Sequence, residues 1–104
     1  MIQKFHGITL HGFPVVVSFD QSIKKTVISP YVFHFLNSVQ AISYTTRGSA
    51  RFRIDCSEFQ IEVTAVALVP CPPGTPQIIV GRDDMLREGI EVSDPESTVY
   101  FEEL

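Results

Sequence analysis

The run Val15-Val16-Val17-Ser18-Phe19 most limits what this chain can become. It is β-branched and apolar enough to read as a buried strand, and it leads straight into the polar Asp20-Gln21-Ser22. Polar residues placed at the end of a buried strand are held rigidly, which is how active-site loops are commonly made. Upstream, Ile8-Thr9-Leu10 reads as a partner strand, with His11-Gly12-Phe13-Pro14 as the hairpin connection.

The remainder continues in short β elements. Thr26-Val27-Ile28-Ser29-Pro30 is strand-like, and the segment that follows, to Leu36, suits either a short helix with Pro30 at its first position or an extended stretch. Phe52/Ile54 and Phe59/Ile61/Val63 alternate as two strands around a turn at Asp55-Cys56-Ser57-Glu58, with an earlier turn at Thr46-Arg47-Gly48-Ser49. Val66-Ala67-Leu68-Val69 reads as a buried strand, ended by the proline-rich 70–76 segment. Ile78-Ile79-Val80 then reaches Gly81, after which Arg82 to Glu88 has the composition of a helix closed by Gly89. Ile90-Glu91-Val92 and Thr98-Val99-Tyr100-Phe101 complete an all-β plan with one short C-terminal helix. A chain of 104 residues, 44% apolar, has material for a single core, so one domain over 1–104 is expected.

Charge narrows the classes of function. The net charge of −4 comes largely from the end of the chain, where Glu88, Glu91, Asp94, Glu96, Glu102 and Glu103 outnumber Arg87, so nucleic-acid binding is disfavoured. The apolar runs are too short to cross a bilayer and the N-terminus lacks the plan of a signal peptide, so no membrane partner and an intracellular location are expected. In that setting Cys56 and Cys71 are expected as free, partly buried thiols. His6, His11 and His34 have no ligand-like spacing, so neither a metal nor a cofactor is expected. Phosphate-loop, dinucleotide and Gly-x-Ser-x-Gly motifs do not occur in the sequence.

Two segments together resemble the retropepsins, the retroviral and retrotransposon aspartic proteases. Val15 to Asp20 followed by Thr26-Val27-Ile28-Ser29-Pro30 is similar to that family's apolar strand, Asp-Ser-Gly-Ala loop and Phe-Ile-Ser-Pro strand. Ile78-Ile79-Val80-Gly81-Arg82-Asp83 is similar to its Ile-Leu-Gly-Arg-Asp signature. The resemblance implies a retropepsin-like acid protease fold, a closed β-barrel half, which a homodimer completes with the two catalytic loops on the two-fold axis. Asp20 would then face Asp20 of its partner. Two close carboxylates cannot both ionise, so one would hold a proton and polarise the scissile carbonyl while the other took a proton from the attacking water.

Beside that aspartate the chain departs from the family. Gln21 and Ser22 stand where Thr or Ser and then Gly are usual, and Ile23 where Ala follows. A glutamine amide does not reproduce the short reciprocal hydroxyl contact across the dimer, and any Cβ obstructs the close backbone approach that the glycine allows. Retroviral members often carry acidic residues after this loop, one pairing with the arginine of the Gly-Arg signature. Here Lys24 and Lys25 take those places, leaving Asp83 or Asp84 as the available counter-charge. The flap region, Ser43 to Arg53, holds a single glycine, Gly48. Catalysis needs sub-ångström placement, so the expected function is a homodimeric module impaired in proteolysis that dimerises or binds a peptide or protein. The alternatives are an active aspartic endopeptidase using paired Asp20 carboxylates, and a monomeric β-rich adaptor.

Overall fold

A computed structural model of the chain describes residues 5–55, 59–68, 70 and 75–90. Its strands are β1 (Phe5–Leu10), β2 (Phe13–Phe19), β3 (Thr26–Ile28), β4 (Ser43–Tyr44), β5 (Ala50–Asp55), β6 (Gln60–Leu68) and β7 (Ile78–Val80), with helices α1 (Pro30–Ser38) and α2 (Arg82–Arg87). They form one seven-stranded sheet in the order β1-β2-β7-β3-β6-β5-β4. Cys56 and Cys71, the 56–58 turn, the middle of the proline-rich segment and the strands expected after Ile90 lie outside the described residues.

The pairing around β7 positions everything that follows. β7 runs parallel to β2, with Phe19 opposite Val80, and antiparallel to β3, with Val27 opposite Ile79. β2 and β3 therefore straddle β7 in opposite directions. The short 20–25 segment joining them has to arch across the end of β7, where Gly81 begins.

Packing follows the period-2 alternation. Val15, Val17 and Phe19 of β2 meet Ile28, Ile78 and Val80 in the core, and Phe52 and Ile54 of β5 lie opposite Val63 and Ile61 of β6, all four buried. Arg51 and Arg53 alternate onto the exposed face, where Arg51 Nε meets Glu62 Oε1 at 2.8 Å. The segment from Val66 differs from expectation, because it is the continuation of one unbroken β6 and not a buried strand of its own. Ile61, Val63 and Ala65 are buried, the pairing with β3 shifts register between Ala65 and Ala67, and Val66 and Leu68 stand 47% and 49% exposed. A run of four apolar residues conceals that shift in the sequence.

The β1–β2 connection is tighter than the four-residue turn expected. His11 and Gly12 both have positive φ (51° and 84°), the signature of a two-residue type I′ turn, and Phe13 and Pro14 already belong to β2. Of the two possibilities for residues 30–36, the helix is found. Ser29 Oγ accepts a hydrogen bond from the Val32 N–H at 3.2 Å, Pro30 occupies the first turn, and Val32 and Leu36 are buried on one face. α2 is the C-terminal helix expected, followed by Gly89 at φ 77°. No helix among the described residues is long and apolar enough to cross a membrane.

Candidate functional site at the Asp20 loop

Backbone hydrogen bonds fix the arch over β7. Asp20 N–H donates to Val80 O (3.0 Å) and Ile23 N–H to Asp20 O (3.3 Å), while Arg82 N–H and Asp83 N–H donate back to Ile23 O and Lys24 O, each at 2.9 Å. The start of α2 and the loop are thereby laced together. Gly81 lies at the point of closest approach: a Cβ there would stand 2.5 Å from the carbonyl carbon of Lys25 and 2.8 Å from Lys24 O. Both are main-chain atoms.

Asp20, half-buried, receives two hydrogen bonds on Oδ1, from Ser22 N–H at 2.9 Å and Ser22 Oγ at 2.5 Å. This is an Asx-type turn reinforced by the serine hydroxyl. Ser22 itself is exposed, and Gln21 is only 3% exposed, enclosed within the fold of the chain. The three loop residues singled out from the sequence thus separate: Asp20 and Ser22 engage each other, and Gln21 turns inward.

The counter-charge question has a definite answer. Lys25 Nζ meets Asp83 Oδ2 at 2.8 Å, so the positive member of the pair sits on the loop and the negative one on the helix. Arg82 contributes its backbone N–H and leaves its side chain exposed. The hydrogen bond from Lys25 holds the Asp83 carboxyl below its ordinary range, helped by the nearby charges of Lys25, Lys24 and Arg82. A carboxyl whose folded value is depressed stabilises the fold above its unfolded value, about 3.9 for Asp, and that contribution is lost as pH falls through the folded value. Lys25→Met should accordingly be less stable than wild type at pH 7, with the gap closing toward pH 3. Urea melts at the two pH values check this, and a gap independent of pH would assign the loss to something other than Asp83.

Sequence reasoning named Asp84 only as an alternative counter-charge and missed its role as the anchor of this region, where it is 3% exposed. Its Oδ2 accepts from Thr26 Oγ1 and from Thr64 N–H (3.1 Å), and its Oδ1 meets Arg87 Nη1 at 2.6 Å. Thr26 Oγ1 in turn accepts from Gly81 N–H at 3.0 Å. One carboxylate therefore joins β3, β6 and α2. An Asp84–Arg87 pair three residues apart on a helix was the visible signal, and by itself it reads as a surface ion pair.

Other expected residues fall elsewhere. His6 is buried with its ring edge-on to Phe19 and Phe59, at centroid distances of 5.7 and 5.4 Å, whereas His11 and His34 are exposed. The flap-like hairpin is short: β4 and β5 share two paired positions, Ser43↔Arg51 and Tyr44↔Ala50, closed by a turn in which Thr45 Oγ1 accepts from the Arg47 and Ser49 N–H groups.

No family model matches the chain, and no curated protein matches it in sequence. Among solved structures it is similar to the retroviral protease-like domain of Ddi1 from Leishmania major, with a TM-score of 0.61 and 10% identity over 86% of this chain and 76% of that one. At that identity the likeness is one of fold. The chain has a retropepsin-like fold, mostly strands in a curled half-barrel sheet.

Proposed function

We propose that this chain is a retropepsin-like module that pairs with a second copy of itself and serves in dimerisation or peptide binding, with ordinary proteolysis impaired. The observation that carries this is the occupation of the Asp20 loop by its own residues. Ser22 Oγ lies 2.5 Å from Asp20 Oδ1, and Gln21 is enclosed within the protomer and not extended from it. The Ser22 N–H and hydroxyl take up hydrogen-bonding positions on Asp20 Oδ1 that an attacking water would otherwise use.

The alternative, an active aspartic endopeptidase, draws support from one feature: Asp20 Oδ2 has no hydrogen-bond or ion-pair partner among the described residues. Two measurements separate the readings. Incubating a peptide library with the chain between pH 4 and pH 7 should give no cleavage that Asp20→Asn abolishes, and mass in solution should correspond to a dimer. Asp20-dependent cleavage would establish the endopeptidase, and a monomer at all accessible concentrations would remove self-pairing.

A further inference from the structure

The exposed face of β6 continues into two adjoining depressions that share Val66. On one side a groove of about 200 Å3 is lined by Phe33, Tyr44 and Leu68, and is apolar. On the other, a cavity of about 580 Å3 opens between the 45–49 turn and the start of α2, with Lys25, Arg47, Arg87, Asp83 and Asp84 on its walls. Both aspartates are committed, Asp83 to Lys25 and Asp84 to Arg87. The charge left over is that of Arg47, exposed on the turn and without an acidic partner among the described residues. Lys24 and Arg82 lie close enough to act on Asp83 and add to the positive field. Glu88 also lies 4.0 Å from Arg87, so the charges of Lys25 and Arg87 are met by acids and that of Arg47 is not.

We propose that this face binds an extended peptide segment presenting an apolar side chain to the groove beside Leu68 and a carboxylate to Arg47. Charge complementarity selects the acidic group: a cavity whose acids are already neutralised has an electrostatic surplus that only an anion reduces. The two depressions meet at Val66, so the two ligand groups sit a few residues apart on an extended chain. This rests on the peptide-binding part of the reading above. It does not rest on dimerisation or on the chemistry of Asp20.

The test uses the full chain and fluorescein-labelled octapeptides carrying Leu at one position and Glu, Gln, Lys or phosphoserine two positions on, read by fluorescence anisotropy. The Glu peptide should bind about fivefold more tightly than the Gln peptide at low salt, and the difference should shrink toward nothing in roughly 0.5 M NaCl. Arg47→Glu should invert the order so that the Lys peptide binds best. Arg47→Gln, with thermal melts of each variant, guards against a folding defect. Equal binding of Glu and Gln peptides, or a preference unmoved by Arg47→Glu, would overturn the site while leaving peptide binding intact. Failure of every peptide to bind would remove the peptide-binding reading as well, and a phosphoserine peptide more than tenfold tighter than the Glu peptide would replace the carboxylate with a phosphate.

Discussion

Replacing Gly81 by alanine should cost roughly 3 kcal/mol of stability, because a single methyl group would be driven into main-chain atoms. The added carbon would lie 2.5 Å from the Lys25 carbonyl carbon and 2.7 Å from its oxygen. Neither atom is the end of a flexible side chain that can rotate away. Relief requires the loop to lift off the start of α2, which stretches the Arg82 N–H to Ile23 O and Asp83 N–H to Lys24 O bonds. The change should register twice, as a lower midpoint in urea and as faster amide exchange at Arg82 and Asp83. A Gly81→Ala protein within 0.5 kcal/mol of wild type would show that the loop is not clamped where the backbone places it.

Asp84→Ala should cost a similar amount, about 3 kcal/mol, and comparison with two further variants identifies the cause. Alanine strands the part-buried Thr64 N–H and removes the acceptor of the buried Thr26 Oγ1, while also deleting the partner of Arg87. The Arg87 side chain is 39% exposed, so solvent screens that ion pair and its share is under about 1 kcal/mol. Satisfying the Thr26 and Thr64 donors is the larger effect. Asp84→Asn, which keeps an acceptor oxygen, should therefore lose less than half as much as Asp84→Ala, and Arg87→Met should fall nearer the asparagine variant. If Arg87→Met proved as damaging as Asp84→Ala, the ion pair would be the dominant interaction and the ordering argued here would be wrong. Denaturant melts at pH 7 suffice for all three.

These two residues also mark how far the sequence could be read. Gly81 was legible because an apolar strand ending in Gly-Arg-Asp is a local pattern, and its geometric reason, the arch over β7, follows once β2, β7 and β3 are paired. Asp84 was not, because its partners Thr26 and Thr64 lie 58 and 20 positions away and only the sheet brings them to it. The same distinction holds at the candidate site. Asp20, Gln21 and Ser22 could be singled out as a departure from the retropepsin pattern, but the hydrogen bonds of Ser22 to Asp20 and the burial of Gln21 depend on side-chain directions that residue types alone leave open. Local punctuation was dependable at Ser29-Pro30 and Gly89, where capping chemistry acts within a few residues. It failed at Val66 and Leu68, which are exposed where β6 shifts its register on β3, a feature that no local pattern in the run signals.

The lacing of the arch has a further consequence. Its bonds run from Asp20 to Val80, from Ile23 to Asp20, and from Arg82 and Asp83 to Ile23 and Lys24, and every donor and acceptor among them is main chain. The path of the backbone is thus set chiefly by main-chain bonds, to which the Ser22 and Asp20 side chains add a contact of their own. At Gly81 that path leaves no room for any side chain, so the point where loop and helix meet is dictated by the backbone alone.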